Sequence, residues 1–407
     1  MRFPIAILLL CGALDAAAQP LPAAPAPHPR HPVLATPTDL RAALQAADAT
    51  PGGGALAAFT PYGRRRFARS IRWGSAGVGG FGTAAPLREL DAGQLAAVLD
   101  LLDAGAYLPR LRAQLAGAPL RLPAPAIDVE RALDSLEDVA VAAGTATSIT
   151  TTGAPTLLRA YDSLFGARMD AAALRRAGDG DLPPLFDAAA LASMGNPNAR
   201  AVDDLLRVHD ELGRRGIATG RTFDATALQA LVAARRFDAA RAFRAAHPAL
   251  AHVRVPRVRD DLGPDFRGRS VLRPDAGAGT LVRAPAPAPA GTQLLVMVGA
   301  GCHFSRNALA AIGADPALQA RLRAANAMLV VTPDDPVPLD LLAEWNAAHP
   351  ALPLAVPYDD RGWPRLHMAS VPHFYLLRDG KIADEDSGWP EGGRGDALLR
   401  LLDASVR

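Results

Sequence analysis

The sequence predicts an α+β multidomain protein: a mostly α-helical N-terminal region followed by a C-terminal α/β domain with a central mixed sheet flanked by helices. Three observations lead there. Ala and Leu dominate a chain of 407 residues that is 50% hydrophobic but only 5% aromatic, a composition that favours helices. Across residues 38–250 the apolar positions recur at helical spacing. Farther on, Thr292–Val298 is a Val- and Leu-rich run that reads as a buried strand, broken at Gly299-Ala300-Gly301 before a new helical pattern from Ser305.

The length suits two or three domains. Met1–Ala18 has the form of a secretory signal, with Arg2 at its positive end, Ile5–Leu10 as its apolar core and Ala16-Ala17-Ala18 as an A-x-A cleavage site. Leu10 precedes Cys11, where a lipid-attachment site takes a small residue. No later apolar run approaches the roughly 20 residues of a spanning helix. The expectation is a periplasmic or secreted protein without a membrane span. A formal charge of +2 gives no footing for nucleic-acid binding.

Residues 19–37 are a Pro/Ala-rich leader that cannot build a core. Thr38–Ala49 reads as a short helix stopped by Pro51-Gly52-Gly53-Gly54. Thr60 caps and Pro61 opens the next helix, which places Phe67 and Ile71 on one face and Arg64, Arg65, Arg69 and Arg72 around the rest. That pattern fits a solvated face with an apolar seam better than an anion site. Gly74–Gly82, with five glycines, reads as a loop. Asp91–Leu102, Tyr107–Ala116 and Ile127–Ala143 are amphipathic helices. Thr145–Thr152 fits a strand, a loop or a helix cap.

From Thr156 to His247 the text is faintly repetitive. Leu164–Ala172 is similar to Leu231–Ala240, 67 residues later, close to two steps of a 34-residue helical hairpin, and Val202–Ile217 with Ala225–Ala246 forms one helix pair. This is similar to tetratricopeptide-like repeats, which would imply a concave surface for a protein partner; an irregular Ala-rich bundle explains the text equally well. Ala251–Gly268 is a Pro/Arg/Asp-rich connector, giving a linker over 251–269 and a last domain over 270–407. There Ser270–Leu272 and Thr280–Arg283 fit paired strands, Asp315–Ala325 a helix, Met328–Val331 a buried strand, Leu339–Ala348 a helix, Phe374–Leu377 a strand and Arg378–Lys381 a hairpin turn, with Leu398–Leu402 in the last helix.

Signal cleavage would leave Cys302 as the one cysteine, so no internal disulfide can staple the chain. A lone exported thiol is either reactive or a small buried hydrophobe. Its place at a strand end and helix start, where unpaired N–H groups and the helix dipole favour negative charge, argues for reactivity.

Cys302-His303-Phe304-Ser305 at that junction, Val371-Pro372 about seventy residues later and the order of elements over 270–407 resemble the thioredoxin-like superfamily. The resemblance implies that Cys302 is the nucleophilic cysteine of a Cys-x-x-Ser variant and that Val371-Pro372 is the cis-proline facing it. Ser305 stands where the resolving cysteine would be, Gly301 replaces the usual Trp, and Val296 falls at the buried carboxylate. A dithiol cycle needs two sulfurs, so what is left is one-thiol chemistry through a mixed disulfide. Candidate catalytic residues are Cys302, Ser305 (a hydrogen-bond donor to the sulfur) and His303 (a nearby positive charge). Candidate substrate-binding residues are Val371, whose backbone can pair with an extended strand, Pro372 and Phe304. No cofactor is expected. A metal site from Cys302, His303, His367 and His373 is disfavoured, because the usual zinc spacings are absent. G-x-S-x-G, H-E-x-x-H and Gly-rich phosphate loops are absent too. Two functions follow: a monothiol thiol-disulfide oxidoreductase or isomerase acting on exported proteins with thiols or disulfides, or a non-catalytic scaffold whose helical part holds a protein partner.

Overall fold

The computed structural model describes residues 33–49, 54–74, 77–79, 86–115, 119–142, 154–193, 199–217, 220–275, 280–332, 337–359, 361–364, 366, 371–389 and 395–405. The expected signal, residues 19–32 of the Pro/Ala-rich leader, Thr145–Thr152 and His367 lie outside the described residues. No described helix is long and apolar enough to cross a membrane.

The first helices build a core of their own. They are α1 (Pro37–Ala49), α2 (Pro61–Ser70), α3 (Ala92–Leu101) and α4 (Leu108–Gln114). Phe59, Phe67, Leu87, Leu95, Val98, Leu99 and Leu111 fill the space between them, and the Phe59 and Phe67 rings stack at 5.0 Å. Caps set the helix starts. Thr36 and Asp39 bond reciprocally ahead of α1, Thr60 Oγ1 accepts the Gly63 N–H at α2, and Asp91 with Gln94 forms a capping box at α3. Between α2 and α3 the glycine-rich segment is not all loop. Strands β1 (Arg72–Gly74) and β2 (Gly77–Gly79) pair antiparallel with Trp73 opposite Val78, both packed against this core. Two apolar side chains with the same core to cover suffice to pair three residues on each side.

The larger helical part comprises α5 (Ile127–Ala142), α6 (Ala154–Phe165), α7 (Ala171–Arg176), α8 (Leu182–Ser193), α9 (Ala199–Arg214), α10 (Gly220–Ala233) and α11 (Phe237–Ala246). The single helix expected over Ala225–Ala246 is two, because Arg235 takes a positive φ of 59° and turns the chain between α10 and α11. The two similar stretches each span a helix–helix connection, α6–α7 through a 3-10 turn and α10–α11 through the Arg235 corner. The face of α2 that carries Arg65 and Arg69 is exposed, as expected, but its arginines are also paired within the chain. Arg65 forks onto Glu130, Arg66 pairs with Asp134 and Glu137, and Arg69 with Asp134 and Asp138, so α2 docks along the acidic side of α5. Arg66 is only 9% exposed. The anions that these arginines meet are carboxylates of the same chain.

The C-terminal half carries one eight-stranded sheet. Its strands are β3 (Arg257–Asp260), β4 (Ser270–Pro274), β5 (Thr280–Pro285), β6 (Thr292–Val298), β7 (Met328–Val331), β8 (Leu354–Pro357), β9 (His373–Arg378) and β10 (Lys381–Ser387), in the order β10-β9-β6-β7-β8-β4-β5-β3. The connector over 251–269 thus supplies an edge strand, β3, that its composition did not signal. Helices α12 (His303–Ala314), α13 (Pro316–Ala324), α14 (Leu339–Ala348) and α15 (Asp396–Ser405) complete the domain. β6 and β7 run parallel across α12 and α13, while β9 is antiparallel to β6 and to β10. That βαβ unit followed by a ββα unit is the topology of the thioredoxin fold. Strand alternation splits β6 between two cores. Leu294, Val296 and Val298 join Ile312, Leu342 and Leu401, whereas Leu295 and Met297 join Trp363, Leu366 and Tyr375 on the other face.

The first of these sheet cores is continuous with the interior of α5–α11. Arg235 fastens the junction: its guanidinium donates to the carbonyls of Tyr358 (2.5 Å) and Pro357 (2.7 Å) at the end of β8. On the sheet side the buried Arg283 lies 4.0 Å over the Tyr358 ring and bonds Asp260 at 3.0 Å.

Candidate functional site

Cys302 is the N-cap of α12, one turn beyond the end of β6. Its carbonyl accepts the first helical bond, from Arg306 N–H at 3.1 Å, and its own N–H donates to Gly299 O at 3.1 Å. The tight turn from strand to helix needs a residue without a side chain at Gly299. A Cβ there would meet Val371 Cγ2 at 2.7 Å and Cys302 Cβ at 3.4 Å. Cys302 as a residue is partly buried, and it is the free thiol among the described residues.

Val371-Pro372 is a cis peptide bond at the entry to β9. Pro372 is buried, and its carbonyl accepts the Gly388 N–H at 2.8 Å, which ties the loop to the end of β10. Cys302 Sγ donates to the Val371 carbonyl at 3.1 Å. Two segments 69 residues apart in sequence therefore meet at one sulfur. Val371 is half-buried, so an extended chain can approach the backbone of this loop beside the thiol.

Ser305 is 0% exposed and its Oγ accepts the Gly299 N–H at 3.0 Å. The sequence suggests Ser305 as a donor to the sulfur; in the structure Ser305 Oγ is tied to the turn, and the sulfur is itself the donor, to Val371 O. His303 and Phe304 open α12 on the outside. Both are exposed, Phe304 by 37%, and their rings lie against each other with centroids 3.8 Å apart. An exposed aromatic beside a thiol gives an apolar substrate segment a surface to cover. Of the six candidate residues, Cys302, His303, Phe304 and Ser305 follow one another at the start of α12, and Val371, next to Pro372, meets Cys302.

His373, weighed as a metal ligand, is turned into the sheet. It is 7% exposed, its ring is stacked on Tyr375 at 4.2 Å, and its Nε2 lies 3.5 Å from Glu385. Val296, at the place of the buried carboxylate, is fully buried in β6 opposite Phe374. The described residues do bring one set of metal-type ligands together, but elsewhere. His209, Asp224 and His247 of the helical part place their ligand atoms within 4.8 Å of one another. Sequence reasoning missed it because one ligand comes from each of three segments, with no compact spacing to notice.

No family model matches the chain, and no curated protein matches it. A solved structure similar to this chain is a thioredoxin-like protein from Bacteroides caccae ATCC 43185, with 11% identity over 71% of this chain and 99% of that one, at a TM-score of 0.21. A likeness that weak adds nothing to what the strand order shows.

Proposed function

We propose that this chain is an exported monothiol thiol-disulfide oxidoreductase or isomerase, acting in the periplasm or outside the cell. The observation that supports the reading is the meeting of Cys302, a partly buried residue at a helix N-terminus, with the carbonyl of Val371 at 3.1 Å from its sulfur in the cis-proline loop. In the proposed step the Cys302 thiolate attacks one sulfur of a substrate disulfide. A Cys302–substrate disulfide forms, the substrate disulfide breaks, and the other substrate sulfur leaves as a thiolate. Cys302 has no neighbouring cysteine to resolve that bond. A thiol from outside, small-molecule or protein, attacks it and releases Cys302 as the thiolate; alternatively the substrate's own freed sulfur attacks and the disulfide is reshuffled. The Val371 backbone holds the substrate segment extended, and Phe304 covers its apolar part.

The test is capture. Incubation of the folded chain with a protein disulfide substrate should give a covalent adduct on the Cys302 peptide that dithiothreitol reverses and Cys302→Ala abolishes. An adduct of equal yield on the alanine variant refutes the reading.

One observation favours a second reading, a non-catalytic scaffold in which helices α5–α11 hold a protein partner. Ser305 is fully buried and bonded to the backbone, so the Cys-x-x-Ser motif serves the turn. On that reading Cys302→Ala leaves the biological activity intact.

A further inference from the structure

The helical part contains a second place where chemistry is possible. Three consecutive helices each present one potential ligand: His209 from α9, Asp224 from α10 and His247 at the C-cap of α11. Their ligand atoms lie within 4.8 Å of one another. His209 and Asp224 are buried, at 5% and 7% exposure, and His247 is half-buried. We propose that these three side chains form a binding site for one first-row divalent metal ion, with Zn2+ the fitting occupant.

The donor chemistry matches. Two imidazoles and one carboxylate are a common three-ligand set for Zn2+, leaving a fourth position for water or for the second carboxylate oxygen. Zn–N and Zn–O bonds of about 2.1 Å place tetrahedral ligands about 3.4 Å apart. His209 Nε2 and Asp224 Oδ1 stand at 2.8 Å, so the three groups need to move by about an ångström or less to reach that geometry.

Two surrounding features are those a metal site needs. His247 Nδ1 is hydrogen-bonded to the Phe243 carbonyl at 2.7 Å, which fixes the proton on Nδ1 and leaves Nε2 as the ring's lone-pair atom. Ligating histidines are held by such a backbone bond through their second nitrogen. Aromatic rings surround the cluster as well. Phe243 lies on His247 at 3.9 Å and edge-on to His209 at 5.2 Å, and Phe186 is 6.5 Å from His209. That apolar shell limits water and strengthens the attraction between a cation and Asp224. A bound ion would cross-link α9, α10 and α11 at the start of α10 and the end of α11, away from the Arg235 corner between them. It lies apart from Cys302 and takes no part in the thiol chemistry.

The experiment uses the full chain carrying Cys302→Ser, so that the thiol cannot supply a ligand. After chelator treatment and dialysis, Zn2+ is titrated by calorimetry and followed by thermal unfolding. One equivalent should bind, and the midpoint should rise by about 5 °C at a free Zn2+ concentration about a hundredfold above Kd. His247→Ala, at the least buried ligand, should weaken binding at least about tenfold and cut the thermal shift to about half or less at the same free Zn2+ concentration. Asp224→Asn, which keeps a hydrogen-bonding partner for His209, should do the same while folding normally without metal. With Co2+ as a spectroscopic probe, visible d–d bands should appear without a thiolate charge-transfer band. The proposal is overturned if the Cys302→Ser chain binds no Zn2+, or if His247→Ala and Asp224→Asn bind it as tightly as their parent.

Discussion

Gly299→Ala tests how closely the Cys302 turn and the proline loop are fitted. The added Cβ would sit 2.7 Å from Val371 Cγ2, whereas carbon atoms pack best about 3.7 Å apart. Something must therefore shift by about 1 Å. Gly299 is in the buried turn that also receives Ser305 Oγ, so Val371 is the side that yields. Overpacking of this kind costs about 2 kcal/mol, and a shift of that size breaks the 3.1 Å contact from the sulfur to Val371 O. Val371→Ala removes the clashing methyl at a cost of about 1 kcal/mol. The double variant should then regain about 1–2 kcal/mol relative to the sum of the singles. Urea unfolding of the four proteins measures the cycle, and iodoacetamide labelling of the Cys302 peptide reads the site in the same samples. Additive costs, or a Gly299→Ala protein as stable as its parent, would refute the fitted contact.

Arg66→Met should destabilise the chain by about 2 kcal/mol in urea unfolding, since it removes the buried cation of Asp134 and Glu137 and leaves them only the exposed Arg69. Glu137→Gln in the Arg66→Met background should recover part of that loss. Arg235→Ala removes two charge-assisted bonds to the ends of β8 and should cost about 3 kcal/mol, with hydrogen exchange rising first at residues 354–359 and in α11. The Glu211 carboxyl is pushed down from 4.5 to about 2, chiefly by its bonds to Arg214 and then by Arg215. A depressed carboxylate pKa gives stability that is present above pH 4.5 and lost as pH falls toward 2. Glu211→Gln should therefore flatten the acid limb of thermal midpoint against pH across that window; an unchanged slope contradicts the ion pairs.

Most of the C-terminal topology is written locally. The run Thr292–Val298, the break at Gly299, Met328–Val331 and the Arg378–Lys381 turn each carry their own pattern. Their strands and turn lie where that pattern puts them. The meeting of Cys302 with Val371 was legible only through the order of elements, because nothing in either segment names the other. What escaped were partnerships across distance. The pairing of Arg65, Arg66 and Arg69 was not legible because their carboxylates lie on α5, 65 to 71 residues later. Arg235 read as helix interior because its acceptors, the Pro357 and Tyr358 carbonyls, are backbone atoms more than a hundred residues away. β3 hid in a connector because an exposed edge strand needs no apolar alternation. His209, Asp224 and His247 form a set only once α9, α10 and α11 are packed.

The rate of iodoacetamide alkylation at Cys302, read on its own peptide at pH 7 in the folded chain and again in urea, tests the central claim most directly. A sulfur presented at the start of α12 for attack on a disulfide should react faster folded than unfolded. Folded chains labelled tenfold or more slowly than unfolded ones would show a thiol kept for packing, and the proposed chemistry would have no nucleophile.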